Sequence, residues 1–527
     1  MRISNRFIGL SLFLISAAVS TAIPREPAKH ASGVATADAM QTAAGVYDVR
    51  AYGAAGDGKT LDTPAVDKAI DAAVAAGGGT VRFPAGKYLC YTIHLKSNVA
   101  LYLDQGATIL ADDPPPEGGS GGYDPAEPNQ WDKFQDFGHS HWHNSLIWGE
   151  GIENVSILGP GLIDGKGLIR GDSPRAGVGD KAIALKLCRN VILRDFSIFR
   201  GGHFGILATG VDNLTIDNLK IDTNRDGFNV DCCRNVRISN CSINSPTDDG
   251  ICLKSSYGLG FARATENVTI TNCQVSGYEA GSFLDGSYRR SEKGSRTGRI
   301  KFGTESNGGF KNITISNCVF DYCCGLALET VDGGLLEDVS ITNITMRDVV
   351  NAPIFLRLGS RMRGPEGTPI GALRRVLLSN IVVYNADPRY GSIISGIPGH
   401  DIEDVKLRNI RIFCRGGGTR EQAALEPPEN EKSYPEPSMF GQIPAYGFFI
   451  RHVKDIEFND VEVRYLNEDL RPAFILNDVR GADFLHALAM HAQDVPTFVL
   501  RNVENFSTHQ CGLLPDTRLD RVDQKKF

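Results

Sequence analysis

One phrase recurs along the chain: a charged or polar residue, then Asn or Asp, then apolar and polar residues in strict turn. It reads ENVSILGPG from 153, RNVILRDFSI from 189, DNLTIDNLKI from 212, RNVRISNCSI from 234 and ENVTITNCQV from 266. It goes on as KNITISNCVF from 311, EDVSITNITM from 337, EDVKLRNIRI from 403 and KDIEFNDVEV from 454. Alternation with period two predicts a strand with one buried face. Asn213 and Asn235 are 22 residues apart, and other gaps stretch where loops are inserted. A unit of that length cannot bury its face alone, so neighbours must stack. The spacing of leucine-rich repeats is missing, which leaves an all-β, single-domain, right-handed parallel β-helix. The repeated Asn residues are expected to form hydrogen-bonded ladders at its turns.

The opening differs. Residues 47–89 hold a strand, a Gly-rich turn and an Ala-rich helix. Thr63-Pro64 fits an N-cap followed by proline, and Val66, Ile70 and Val74 give the helix one apolar side. Such a helix is expected to cap the open N-terminal end of the solenoid. Residues 1–22 carry Arg2 and Arg6, an apolar run and small residues near Ala22, the pattern of a signal peptide. Residues 23–44 read as a flexible leader, 45–510 as the β-helix and 511–527 as a C-terminal tail. Pro/Gly-rich segments at 113–130, 360–369 and 415–445 read as loops off the solenoid.

Composition narrows the partners. The net charge of −7 argues against nucleic acid or an anionic membrane, and no other stretch has the length of a membrane span. A secreted or periplasmic monomer is expected. The 12 cysteines permit disulfides in an exported chain. However, Cys241, Cys273 and Cys318 recur at one place in the repeat, which reads as stacked, buried thiols. Cys232-Cys233 and Cys323-Cys324 would alternate in facing on strands, and no CxxC spacing points to zinc.

Chemistry concentrates in two neighbouring repeats. Asp226 in NRDGFN (224–229) and Asp248-Asp249 in TDDGICLKS (247–255) are one 22-residue repeat apart. Adjacent coils lie roughly 4.8 Å apart, so these carboxylates should repel and one pKa should rise. Inverting glycoside hydrolysis uses a protonated acid and an ionised base roughly 6.5–9.5 Å apart. Calcium binding and simple turn-forming Asp residues are the competing readings.

The combination resembles glycoside hydrolase family 28, the polygalacturonase family, and its bacterial members in particular. NRDGFN is similar to the family's NTDGxD and TDDGICLKS to its GDDxIAIKS. YDVRAYGAAGDGKTLDT and GGTVRFPAGKY resemble its usual opening, and the similarity spans roughly residues 47–465. The resemblance implies that Asp248 is the general acid and that Asp226 and Asp249 position and deprotonate water, without cofactor or metal. It also implies a polysaccharide or oligosaccharide substrate of pectin type.

The departures are as informative. The family's Gly-His-Gly falls on RTGRIKFGTESNGG (296–309), with Thr297 near the His position, while Glu305 matches the motif's end. The Arg and Lys that hold a galacturonate carboxylate in the family fall on Ala327 and Glu329. That exchange removes a bidentate clamp and reverses a charge. Arg299, Lys301, Arg357, Arg361 and Arg363 are the candidates to compensate. Asn224, His203, Lys254, Arg299, Lys301, Glu305 and Glu329 are therefore the expected substrate-binding residues, with Lys254 able to pair with Glu329. His139, His141 and His143 alternate, so a strand would turn all three one way, as sugar-binding or packing residues rather than metal ligands. Three other readings stand: a calcium-dependent polysaccharide lyase, a non-catalytic binder of pectin oligosaccharides, and a structural solenoid.

Overall fold

A computed structural model describes residues 45–527 apart from Asp172, Glu292, Ser295 and Leu513, so the expected signal peptide and leader lie outside the described residues. The recurring phrase forms the strands Glu153–Leu158, Arg189–Arg194, Asp212–Asp217, Arg234–Ser239 and Thr265–Thr271, each paired in parallel with the next. The short strands Leu162–Asp164, Ser197–Phe199, Lys220–Asp222 and Ser242–Asn244 stack as a second sheet. A third comprises Ser145–Glu150, Lys181–Lys186, Phe204–Thr209, Asp226–Asp231, Ile251–Ser255 and Ile300–Ser306. Each coil thus contributes one strand to each sheet, and inward residues meet their counterparts on the next coil. Ile206 lies beside Phe228 and Phe228 beside Ile251, all fully buried. Towards the C-terminal end the stack turns aromatic, with the Phe458 and Phe484 rings parallel at 4.6 Å.

The ladders form as expected. Asn154 donates its amide to Asn98, Asn190 to Asn154, Asn213 to Asn190 and Asn235 to Asn213, at 2.9 to 3.4 Å. These residues sit at φ near +56°, which Asn tolerates better than most residues. An amide carries both donor and acceptor, so each member satisfies its neighbours on both sides.

The capping helix runs Thr63–Ala75 and covers the first coils with Ala65, Val66, Ala69, Ile70 and Ala73. Two details correct the sequence reading. Asp62 rather than Thr63 takes the N-cap position, and Thr63 Oγ1 instead accepts from the Tyr91 amide at 2.9 Å. Val74 faces solvent at 42% exposure, because a 3.6-residue period continues the stripe from Ile70 to Ala73. At the other end, residues 511–527, set apart above as a tail, carry a strand, Thr517–Lys526, that lies antiparallel on Phe498–His509. It gives the last coil a paired edge. All twelve cysteines are free and buried. Cys232 does not lie on a strand but turns at φ 55°. Among the described residues, no helix is long and apolar enough to cross a membrane.

Candidate active site

The outward face of the third sheet brings the chemistry together. Asp226 opens the strand Asp226–Asp231, and Asp248-Asp249 form the turn that leads into Ile251–Ser255. The strand register steps by 23 residues here, Phe228 to Ile251, rather than 22. Asp226 is therefore level with Asp249, whose carbonyl accepts from Gly227 at 3.0 Å, and Asp248 lies one residue earlier on the bend. Each of the three carboxyls places an oxygen within 4.8 Å of the others. That is tighter than the separation expected from the sequence, and one water hydrogen-bonded at roughly 2.8 Å to two such oxygens spans it.

The three environments differ. Asp226 is 3% exposed, and burial, with Asp248 adding its charge, raises its pKa well above the carboxylate range. Asp249 is equally buried, and burial alone would raise it. Lys301 and Arg299 outweigh that and hold it below its ordinary value. The Arg299 Nε donates to Asp249 Oδ1 at 2.9 Å, and Lys301 Nζ stands 3.6 Å from Oδ2. Asp248 has the open face, its side chain 30% exposed, and its Oδ2 accepts from Arg225 Nε at 3.1 Å. The same guanidinium donates to His203 Nδ1 at 3.2 Å, which brings His203 into the cluster's surroundings. Asn224 adjoins them through its backbone, whose carbonyl accepts from Thr247 Oγ1.

Beyond Asp249 the arrangement departs from expectation. Lys254 pairs with Glu305 at 2.6 Å, not with Glu329, because their side chains converge on the same outward face. Glu305 also receives Arg363 at 2.6 Å; despite burial these cations, Lys254 first, hold it well below the carboxylate range. Glu329 instead lies 3.5 Å from Lys301. It is fully buried, neither oxygen has a hydrogen-bond partner among the described residues, and burial raises its pKa to about 8 against the pull of Lys301 and Arg299. Ala327 packs in an apolar cluster with Phe355 and Phe440. Arg357, beside Glu329 in register, is engaged by the next coil and the long loop, donating to Ser395 and to the Gly396 and Glu429 carbonyls. Arg361 is held by Asp332.

The three histidines are not on a strand. A short 3₁₀ turn, Phe137–His139, sends them to different places. His139 packs edge-on against Phe204 at 4.7 Å, and burial, with Lys254 nearby, lowers its pKa to about 3. His141 stacks on Phe137, and His143 stacks on Trp148 and bonds Glu150 at 2.8 Å.

Loops close over this face. Asn129 of the first loop donates to the Gly258 carbonyl, and Asp136 receives Arg363 at 2.9 Å. The 415–445 loop is pinned by Arg451, which donates to the Pro427 and Pro428 carbonyls, and by Arg357 on Glu429. It lays Glu436 against Arg299 and Tyr434 over Lys301, the Tyr434 hydroxyl accepting at 3.3 Å. Neither residue, nor Arg225, stood out in the sequence. Glu436 meets an arginine 137 residues away, and only the run of prolines around it marks a rigid loop.

The sequence matches two described families, "Right handed beta helix region" over residues 165–295 and "Rhamnogalacturonase A/epimerase, pectate lyase-like" over 46–111. A probable polygalacturonase of Vitis vinifera is 26% identical over 395 residues, 68% of this chain and 73% of its own. An exo-poly-alpha-D-galacturonosidase of Dickeya chrysanthemi is 29% identical over 229 residues, 41% of this chain and 35% of its own. The fold is shared with the Family 28 exopolygalacturonase of Yersinia enterocolitica at a TM-score of 0.62 and 20% identity, covering 83% of this chain and 78% of that one.

Proposed function

Since the chain belongs with the polygalacturonase-like pectinases and is a glycosidase, we propose that it is an exported enzyme that hydrolyses glycosidic bonds of a pectin-type polysaccharide with inversion. The observation that carries this reading is the unequal trio of carboxyls within 4.8 Å of one another: burial raises the pKa of Asp226, Lys301 and Arg299 lower that of Asp249, and Asp248 alone opens to solvent. Asp248 protonates the leaving glycosidic oxygen. Asp249, held below its ordinary value by Lys301 and Arg299, takes the proton of the attacking water as the new bond forms, and Asp226 orients that water. Substrate entry into a site lined by pinned loops displaces water and strengthens these interactions. The contacts of these loops with the site's own residues support action from a chain end. The basic, then apolar, pattern of residues 1–22 supports export.

The test incubates the protein with polygalacturonate, rhamnogalacturonan and their oligosaccharides, following new reducing ends and product anomers by NMR, with Asp248→Asn alongside. Inverted product that disappears in the variant is the expected result. Retained anomer, the outcome a short carboxylate separation gives in other glycosidases, overturns the proposed roles. Early release of long oligomers overturns action from chain ends. A divalent cation also accepts three clustered carboxylates, so a chelator arm is included. An unsaturated product lost on chelation marks a lyase instead.

A further inference from the structure

The site holds cations where an acidic sugar would want them, but it seals them. Arg299 and Lys301 follow Asp249 by one coil, a position from which a basic pair could meet a carboxylate across the cleft. Both side chains are only 2% exposed. Arg299 is divided between Asp249 and Glu436, and Lys301 among Asp249, Glu329, Glu436 and the Tyr434 hydroxyl. What the 415–445 loop sets directly against Arg299 and Lys301 is the other sign or no charge: Glu436, its side chain 26% exposed, and Tyr434, 53% exposed. On the opposite side of Asp248 the surface cation Arg225 is bound to Asp248 and His203.

Resting on the hydrolase reading above, we propose that the sugar unit lodged between Asp249 and the 415–445 loop is uncharged. A carboxylate there would displace no water from a cation and would stand against the Glu436 carboxylate. An uncharged unit lays its apolar face on the Tyr434 ring and donates its hydroxyls to Glu436. Two sources provide such a unit: a neutral hexose alternating with uronate, and a uronate whose carboxyl is methyl-esterified.

The experiment measures kcat/KM of the wild-type enzyme on three oligosaccharide series of equal length: free-acid homogalacturonan, fully methyl-esterified homogalacturonan and rhamnogalacturonan. At least one uncharged series is expected to exceed the free acid by about tenfold or more, the ratio a screened like-charge contact gives. Which of the two does so identifies the source. Glu436→Gln, which removes the charge and releases Arg299, is expected to narrow that ratio by about tenfold. Free-acid oligomers cleaved as well as or better than both others overturn the inference and leave the hydrolase reading standing. No turnover of any series removes the hydrolase reading itself. The wild-type comparison stands without the variant, so a misfolded Glu436→Gln does not decide it.

Discussion

Two rows of polar side chains climb the same solenoid and behave in opposite ways. In the ladder, Asn stacks on Asn, and each amide gives one hydrogen bond and receives another. At the site, carboxyl stacks on carboxyl, and ionised carboxylates can only accept. The repeat therefore stabilises itself where its turns carry amides and opposes itself where they carry acids. The fold meets that opposition in three ways: a raised pKa at buried Asp226, buried cations beside Asp249, and solvent beside Asp248. The proposed catalytic site lies where stacking is left unsatisfied.

The contrast can be broken at either row. Asp248→Asn makes the acid row resemble an amide row, and kcat is expected to fall by about 10²–10⁴-fold with little change in unfolding midpoint. Reducing-end assays and a thermal melt check both halves. In the ladder, Asn213→Ala removes a donor and an acceptor at φ 56° and is expected to cost about 1–3 kcal/mol, read from denaturant midpoints. Asn213→Asp keeps the acceptor and costs less. Asp226→Asn should abolish activity yet raise the unfolding midpoint at pH 7, since burial raises the native carboxyl's pKa well above its ordinary value.

A further effect is a pH dependence. Burial raises Glu329 from 4.5 to about 8, so the native state holds its proton more tightly than the unfolded chain does. Its contribution is full below pH 4.5 and is lost as the pH climbs to about 8. Glu329→Gln is accordingly expected to melt with the wild type at pH 4 and above it at pH 9. A constant difference across that range would show that Glu329 does not titrate with folding.

The repeating strands and the Asn ladder were legible because period two and a fixed Asn express themselves within a few residues. So was the meeting of Asp226 with Asp248-Asp249, since one repeat separates them. The register that sets Asp226 level with Asp249 was not, because the extra residue is absorbed in the turn before Ile251. The strand expected for His139, His141 and His143 failed because Gly138 and its neighbours form a 3₁₀ turn, which overrides alternation. Lys254 chose Glu305 over Glu329 through side-chain direction, which spacing does not reveal. Glu436 and Tyr434 reach the site only because a loop folds back over distant coils, and no local pattern encodes that return.

The twelve interior thiols bear on how the molecule comes to exist. Once wound, the solenoid keeps each of them away from oxidants. Before winding, a chain exported as proposed into an oxidising compartment presents all twelve, and any pair that joins fixes two coils in the wrong order. Biogenesis is then a race between coil-by-coil propagation and thiol oxidation. Refolding yield should rise with added reductant, and the finished protein should be indifferent to it.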